Sequence, residues 1–78
     1  MELTPAEQEI CADLLLNEAD TSANIHERTG ISRPYVSTLL GKLADNGFVE
    51  NKGAGVYRLP AAGRHVGREY IRKHGIPD

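Results

Sequence analysis

The sequence predicts a mainly α-helical fold carrying one β-hairpin, in the order helix, helix, helix, hairpin, C-terminal helix. Three observations predict it. Apolar residues recur at helical spacing, first in Ile10, Cys11, Leu14 and Leu15 and again in Val36, Leu39, Leu40 and Leu43. Glycines stand where two successive helical segments should stop, at Gly30 and Gly47. Between these helices and the last one, β-branched and aromatic residues flank Gly53-Ala54-Gly55. At 78 residues, of which 40% are apolar, the chain is expected to form a single domain over 1–78. Such a domain buries only about 60% of the surface its unfolded chain exposes.

Thr4-Pro5-Ala6-Glu7 opens the first helix, with Thr4 as N-cap, proline at the first helical position and Glu7 closing a capping box. Its inward stripe is Ile10, Cys11, Leu14 and Leu15, while Glu9, Asp13 and Glu18 are expected to face water. The short polar stretch 17–21 follows as a loop. Thr21 or Ser22 then caps a second helix, which buries Ala23, Ile25 or His26 and stops at Gly30. Ile31 bridges the turn, and Ser32-Arg33-Pro34 restarts a helix with Ser32 as cap. This third helix, roughly Ser32 to Asn46, turns Pro34, Thr38, Gly41 and Asp45 outward, flanked by Ser37 on one side and by Tyr35 and Lys42 on the other. Two capped helices joined by a glycine turn make a helix-turn-helix.

Residues 48–52 and 56–59 form the hairpin, joined by a loop of either two or three residues, and in one of the two resulting registers Val49, Tyr57 and Leu59 share the buried face. A lone two-stranded hairpin is marginal in water, so it must pack on the helices. A fourth helix is predicted from about Ala61 to His74, with Ala62, Val66, Tyr70 and the Lys73 stem inward and Gly75-Ile76-Pro77 ending it. Gly63 and Gly67 each weaken that helix by about 1 kcal/mol relative to alanine, so it must depend on packing.

The net charge of −2 conceals a segregation. Residues 1–31 hold seven acids against Arg28 alone, and residues 32–78 hold eight bases against four acids. One half is therefore acidic and the other basic, which allows a positive face toward phosphate. The single cysteine, Cys11, lies in an apolar stripe and reads as a small hydrophobe, not a reactive thiol. Neither a membrane span nor a secretory leader is recognisable, and a cytoplasmic protein is expected. No nucleophile stands beside a base, and His26, His65 and His74 lack partners at ligand spacing, so neither an enzyme nor a metal or cofactor site is expected.

The element order resembles the winged helix-turn-helix transcription regulators at the level of the MarR and ArsR groups. A narrower resemblance is to the small haloarchaeal regulators related to the phage phi-H repressor. Gly30-Ile31-Ser32-Arg33-Pro34-Tyr35-Val36-Ser37, Leu40-Gly41-Lys42-Leu43-Ala44-Asp45-Asn46-Gly47-Phe48-Val49 and Gly55-Val56-Tyr57-Arg58-Leu59 carry it, over roughly residues 4–74. Pro60 departs from the pattern, standing where relatives often carry a threonine cap. The resemblance implies a sequence-specific, double-stranded-DNA-binding regulator, a repressor, with its third helix in the major groove.

Ser37 and Thr38 present short hydroxyls to base edges, and Arg33 and the neighbouring Pro34 begin the helix, where an arginine reaches a guanine or a phosphate. Ser32, Tyr35 and Lys42 at the margin, and Thr21 and Ser22 at the second helix's start, fit phosphate contacts. Lys52 and Arg58 flank the glycine tip of the hairpin and suit a phosphate or the minor groove; an Arg58–Glu50 cross-strand pair is the competing reading. The first and fourth helices are left for homodimerisation. The rival class is a winged-helix protein-interaction module without DNA binding, suggested by the overall acidity.

Overall fold

The computed structural model describes residues 3–75. Helix α1 (Pro5–Asn17) is followed by strand β1 (Ala19–Thr21), helices α2 (Ser22–Thr29) and α3 (Arg33–Asp45), strands β2 (Glu50–Asn51) and β3 (Val56–Arg58), and helix α4 (Ala61–His74). The three strands form one antiparallel sheet in the order β1-β3-β2. In it Glu50 faces Arg58 and Asn51 faces Tyr57 on one side, and Ala19 faces Arg58 and Thr21 faces Val56 on the other. The expected two-stranded hairpin is thus corrected to three strands. The polar stretch after α1 has no strand signature of its own and becomes a strand because β3 offers it an open edge.

Local chemistry sets the helix ends. Thr4 and Glu7 form the predicted capping box, the Glu7 amide donating to Thr4 Oγ1 at 3.3 Å and the Thr4 amide donating to Glu7 Oε1 at 2.9 Å. Thr21 caps α2, accepting from the Asn24 amide at 3.3 Å, and Gly30 closes it with φ of 77°, where a side chain is disfavoured. Ser32 is the N-cap of α3 by position, but its hydroxyl makes no capping hydrogen bond. Three residues, Gly53 to Gly55, form the hairpin loop; the Lys52 amide donates to the Val56 carbonyl at 2.8 Å, and all three loop residues have positive φ. Gly75 caps α4, and the predicted stop at Ile76-Pro77 lies outside the described residues.

Ile10, Cys11, Leu14, Ile25, Val36, Leu40 and Leu43 are fully buried and form the core with Leu39, Val49 and Leu59. Burial pushes the Cys11 thiol up to about 12, with help from the nearby Glu7 charge. Two burial assignments need correction. Asp13, expected to face water, is 4% exposed because Arg28 of α2 pairs with it. On α4, Ala62 is exposed, and the buried positions are Gly63 and Gly67. A Cβ at Gly67 would stand 2.9 Å from the Cys11 carbonyl oxygen, and one at Gly63 would run into the Phe48 carbonyl and come within 2.7 Å of Leu59 Cδ2. The glycines that weaken α4 therefore let it lie directly against α1 and the start of the hairpin. The two helices expected to be free are largely spent on each other.

Candidate nucleic-acid interface

With Val36, Leu39, Leu40 and Leu43 committed to the core, the rest of α3 is settled by helical geometry. Arg33, Pro34, Tyr35, Ser37, Thr38, Gly41, Lys42 and Asp45 are all exposed, as is Ser32 at the cap. Tyr35, at 47% exposure, is one of two large apolar-bodied residues left open among the described residues. The side chains of Arg33, Tyr35, Ser37 and Lys42 make no hydrogen bond or ion pair among the described residues. The Thr38 hydroxyl donates to the Pro34 carbonyl at 3.1 Å. The face thus has Pro34, Thr38 and Gly41 along its centre, Asp45 at its C-terminal end, and a cation on either flank, Arg33 at its start and Lys42 beyond its middle.

The wing adds Lys52, exposed and unpaired among the described residues, next to an exposed loop. Arg58 is half-exposed and turned toward Glu50, Nε to Oε1 at 3.8 Å, across the pair of strands that the register sets opposite. Both readings of Arg58 thus find support: it is accessible, and it has a cross-strand partner. Arg58 also borders a cleft of about 410 Å³ between the end of α1, β1 and the start of α4, lined by Leu14, Leu15, Glu18, Leu59 and Arg64.

Thr21 and Ser22 sit elsewhere, at the N-terminus of α2. A carboxylate already occupies that helix end: Asp20 accepts from the Thr21 amide at 2.8 Å and from Asn24 Nδ2 at 2.6 Å. Burial would raise the Asp20 pKa, but these bonds and the Arg28 guanidinium outweigh it and hold the group below its ordinary value. Asp20 therefore stays ionised and makes this the least favourable of the predicted phosphate contacts.

The residue that sequence reasoning missed is Arg28. Its Nε and one terminal nitrogen donate to the two oxygens of Asp13, each at 2.9 Å, and the same terminal nitrogen donates to Asp20 at 2.8 Å. The only base of the acidic half is thereby neutralised internally, raising its own pKa, and it locks α2 to α1 and β1. A signal did exist: Asp20, Asn24 and Arg28 recur every four residues, so that Asp20, just before α2, stands in line with Asn24 and Arg28 on one side of that helix. Among the described residues no group of three or more His, Cys, Asp or Glu side chains is placed to hold a metal ion, and no helix is long and apolar enough to cross a membrane.

A family model described as "Sugar-specific transcriptional regulator TrmB" matches residues 1–62. No curated protein sequence matches the chain. Among solved structures, wild-type ZitR of Lactococcus lactis is similar at a TM-score of 0.80 and 26% identity, over 99% of this chain and 54% of that one. The reduced form of MarR from E. coli is similar at 0.81 and 14% identity, over 92% and 54%. A mutant of that MarR complexed with operator DNA is similar at 0.75 and 14%, over 91% and 55%. The chain spans about half the length of the solved structures that it matches. These likenesses bear out the winged-helix fold.

Proposed function

The chain belongs to the TrmB family of transcriptional regulators, and from that premise we propose that it binds double-stranded DNA sequence-specifically, with α3 in the major groove. One observation carries the reading: α3 buries one face completely and leaves Arg33, Ser37, Thr38 and Lys42 open on the other. A buried helix face fixes the angle at which the open face is presented, and an α-helix fits the major groove. Arg33 reads a base or grips a phosphate, Ser37 supplies a hydroxyl, and Tyr35, Lys42, Lys52 and Arg58 contact the backbone. The likeness in fold to a MarR bound to operator DNA supports this, as does the basic balance of residues 32–78. The protein acts as a repressor in the cytoplasm and binds as a homodimer, whose two-fold calls for a pseudo-palindromic operator with half-sites about one helical turn apart.

The experiment is a salt series of binding to random-sequence duplex and to duplex selected by the protein from a random pool, with Arg33→Ala beside the wild type. Binding should weaken with salt, and Arg33→Ala should lose about 1–3 kcal/mol on the selected duplex and less on the random one. Equal losses on both would make Arg33 a phosphate contact. Absence of binding at every salt concentration would leave the protein-interaction reading in its place.

A further inference from the structure

Three glycines lie inside helices, and two of them have an internal reason. Gly63 and Gly67 are buried where α4 meets the rest of the chain, and a Cβ at either would collide with backbone. Gly41 differs in every respect. It lies in the middle of α3, it is exposed, and a Cβ built on it would meet nothing within 4 Å. Nor is its backbone in the left-handed region that favours glycine, since the positive-φ glycines are 30, 47, 53, 55 and 75. Glycine at an exposed mid-helix position lowers helix stability and gains nothing from the fold. Whatever uses its missing side chain lies outside the chain.

Resting on the DNA-binding reading, we infer that Gly41 is a specificity-determining position, at which base edges of the duplex come into contact with the α3 backbone. The surroundings fit such a seat. Before it on the same outward line Thr38 has its hydroxyl turned back onto the Pro34 carbonyl, and Ser37 beside it is short. Arg33 and Lys42 stand on either side as unpaired cations among the described residues and can hold the phosphates that flank the groove. Glycine recurs where a backbone must approach a ligand closely.

The test is Gly41→Ala, with Gly41→Leu as a graded second variant, measured for melting temperature and for binding to selected and to random duplex across a salt series. Gly41→Ala should raise the melting temperature by about 4–8 °C, as expected for an exposed helical site in a domain of this size. Its affinity for the selected duplex should nonetheless fall about tenfold, and Gly41→Leu should lose the preference for that duplex altogether. The slope of log affinity against log salt should not change, because no charge is removed. A Gly41→Ala protein that binds the selected duplex as tightly as the wild type overturns the inference while leaving the DNA reading intact. A lower melting temperature also overturns it, by showing that the fold itself requires the glycine. A wild type that binds no duplex removes the DNA reading, and this inference with it.

Discussion

Arg28 on α2 grips Asp13 on α1 through two parallel hydrogen bonds of 2.9 Å each, one to each carboxylate oxygen. The Asp13 side chain is 6% exposed, so its charge has this guanidinium in place of water. Arg28→Ala strands that carboxylate and is expected to cost about 3 kcal/mol, the low end for breaking a buried pair because Arg28 itself is a third exposed. Urea denaturation measures it. Arg72→Ala is the control: its ion pair with Glu69 lies in the open, and its removal should leave the midpoint where it is. Equal midpoints for the two variants would mean that Arg28 holds nothing together.

Asp20 gives the fold an acid limit. Its folded pKa lies below the ordinary 3.8, so the unfolded chain binds the proton more readily. The stability this provides is therefore complete above the unfolded value and is lost as pH falls below about 4 toward the folded one. Melting temperature between pH 6 and pH 2.5 should fall most steeply at the acid end, and Asp20→Asn should flatten that fall. A wild-type profile with the same slope as the Asp20→Asn profile would show that the carboxylate has no net preference for the folded state.

Gly67→Ala should destabilise the protein although alanine is the better helix former. Its Cβ would stand 2.9 Å from the Cys11 carbonyl and 3.2 Å from Leu15 Cβ, and a helix backbone cannot yield as a flexible side chain does. Overpacking of this kind costs about 1–3 kcal/mol, more than the ~1 kcal/mol gained in propensity. The expected result is a lower melting temperature with the helical circular dichroism retained. A higher one would show that α4 has room to move off α1.

How much of this was readable in the chain follows from the range of each interaction. Helix α3 was legible because its signals are local: Pro34 near the start, four leucine and valine positions at helical period, Asn46-Gly47 at the end. The outward residues of the candidate site followed from the same period, and all of them are exposed. Strand β1 was not legible, since Ala19-Asp20-Thr21 extends only because Arg58, Tyr57 and Val56 stand opposite. Asp13 looked solvated for the same reason: its partner is fifteen residues away on another helix. Gly63 and Gly67 read as weak points because the backbone they accommodate belongs to Phe48 and Cys11.

The wing offers a prediction in which two neighbouring cations behave differently. Lys52 has no partner among the described residues, whereas Arg58 has Glu50 at 3.8 Å, with both side chains 49% exposed. If both approach phosphate, Lys52→Ala removes an uncompensated charge and should reduce the salt slope of binding by about 0.9, weakening all duplexes alike. Arg58→Ala should do less, because part of that charge is already answered by Glu50. Glu50→Gln then becomes the informative variant: it releases Arg58 and removes a negative charge beside the DNA, so affinity should rise at low salt and the gain should fade as salt is added. Binding that is unchanged in Lys52→Ala and Glu50→Gln alike would place the wing off the DNA and leave α3 as the whole of the contact.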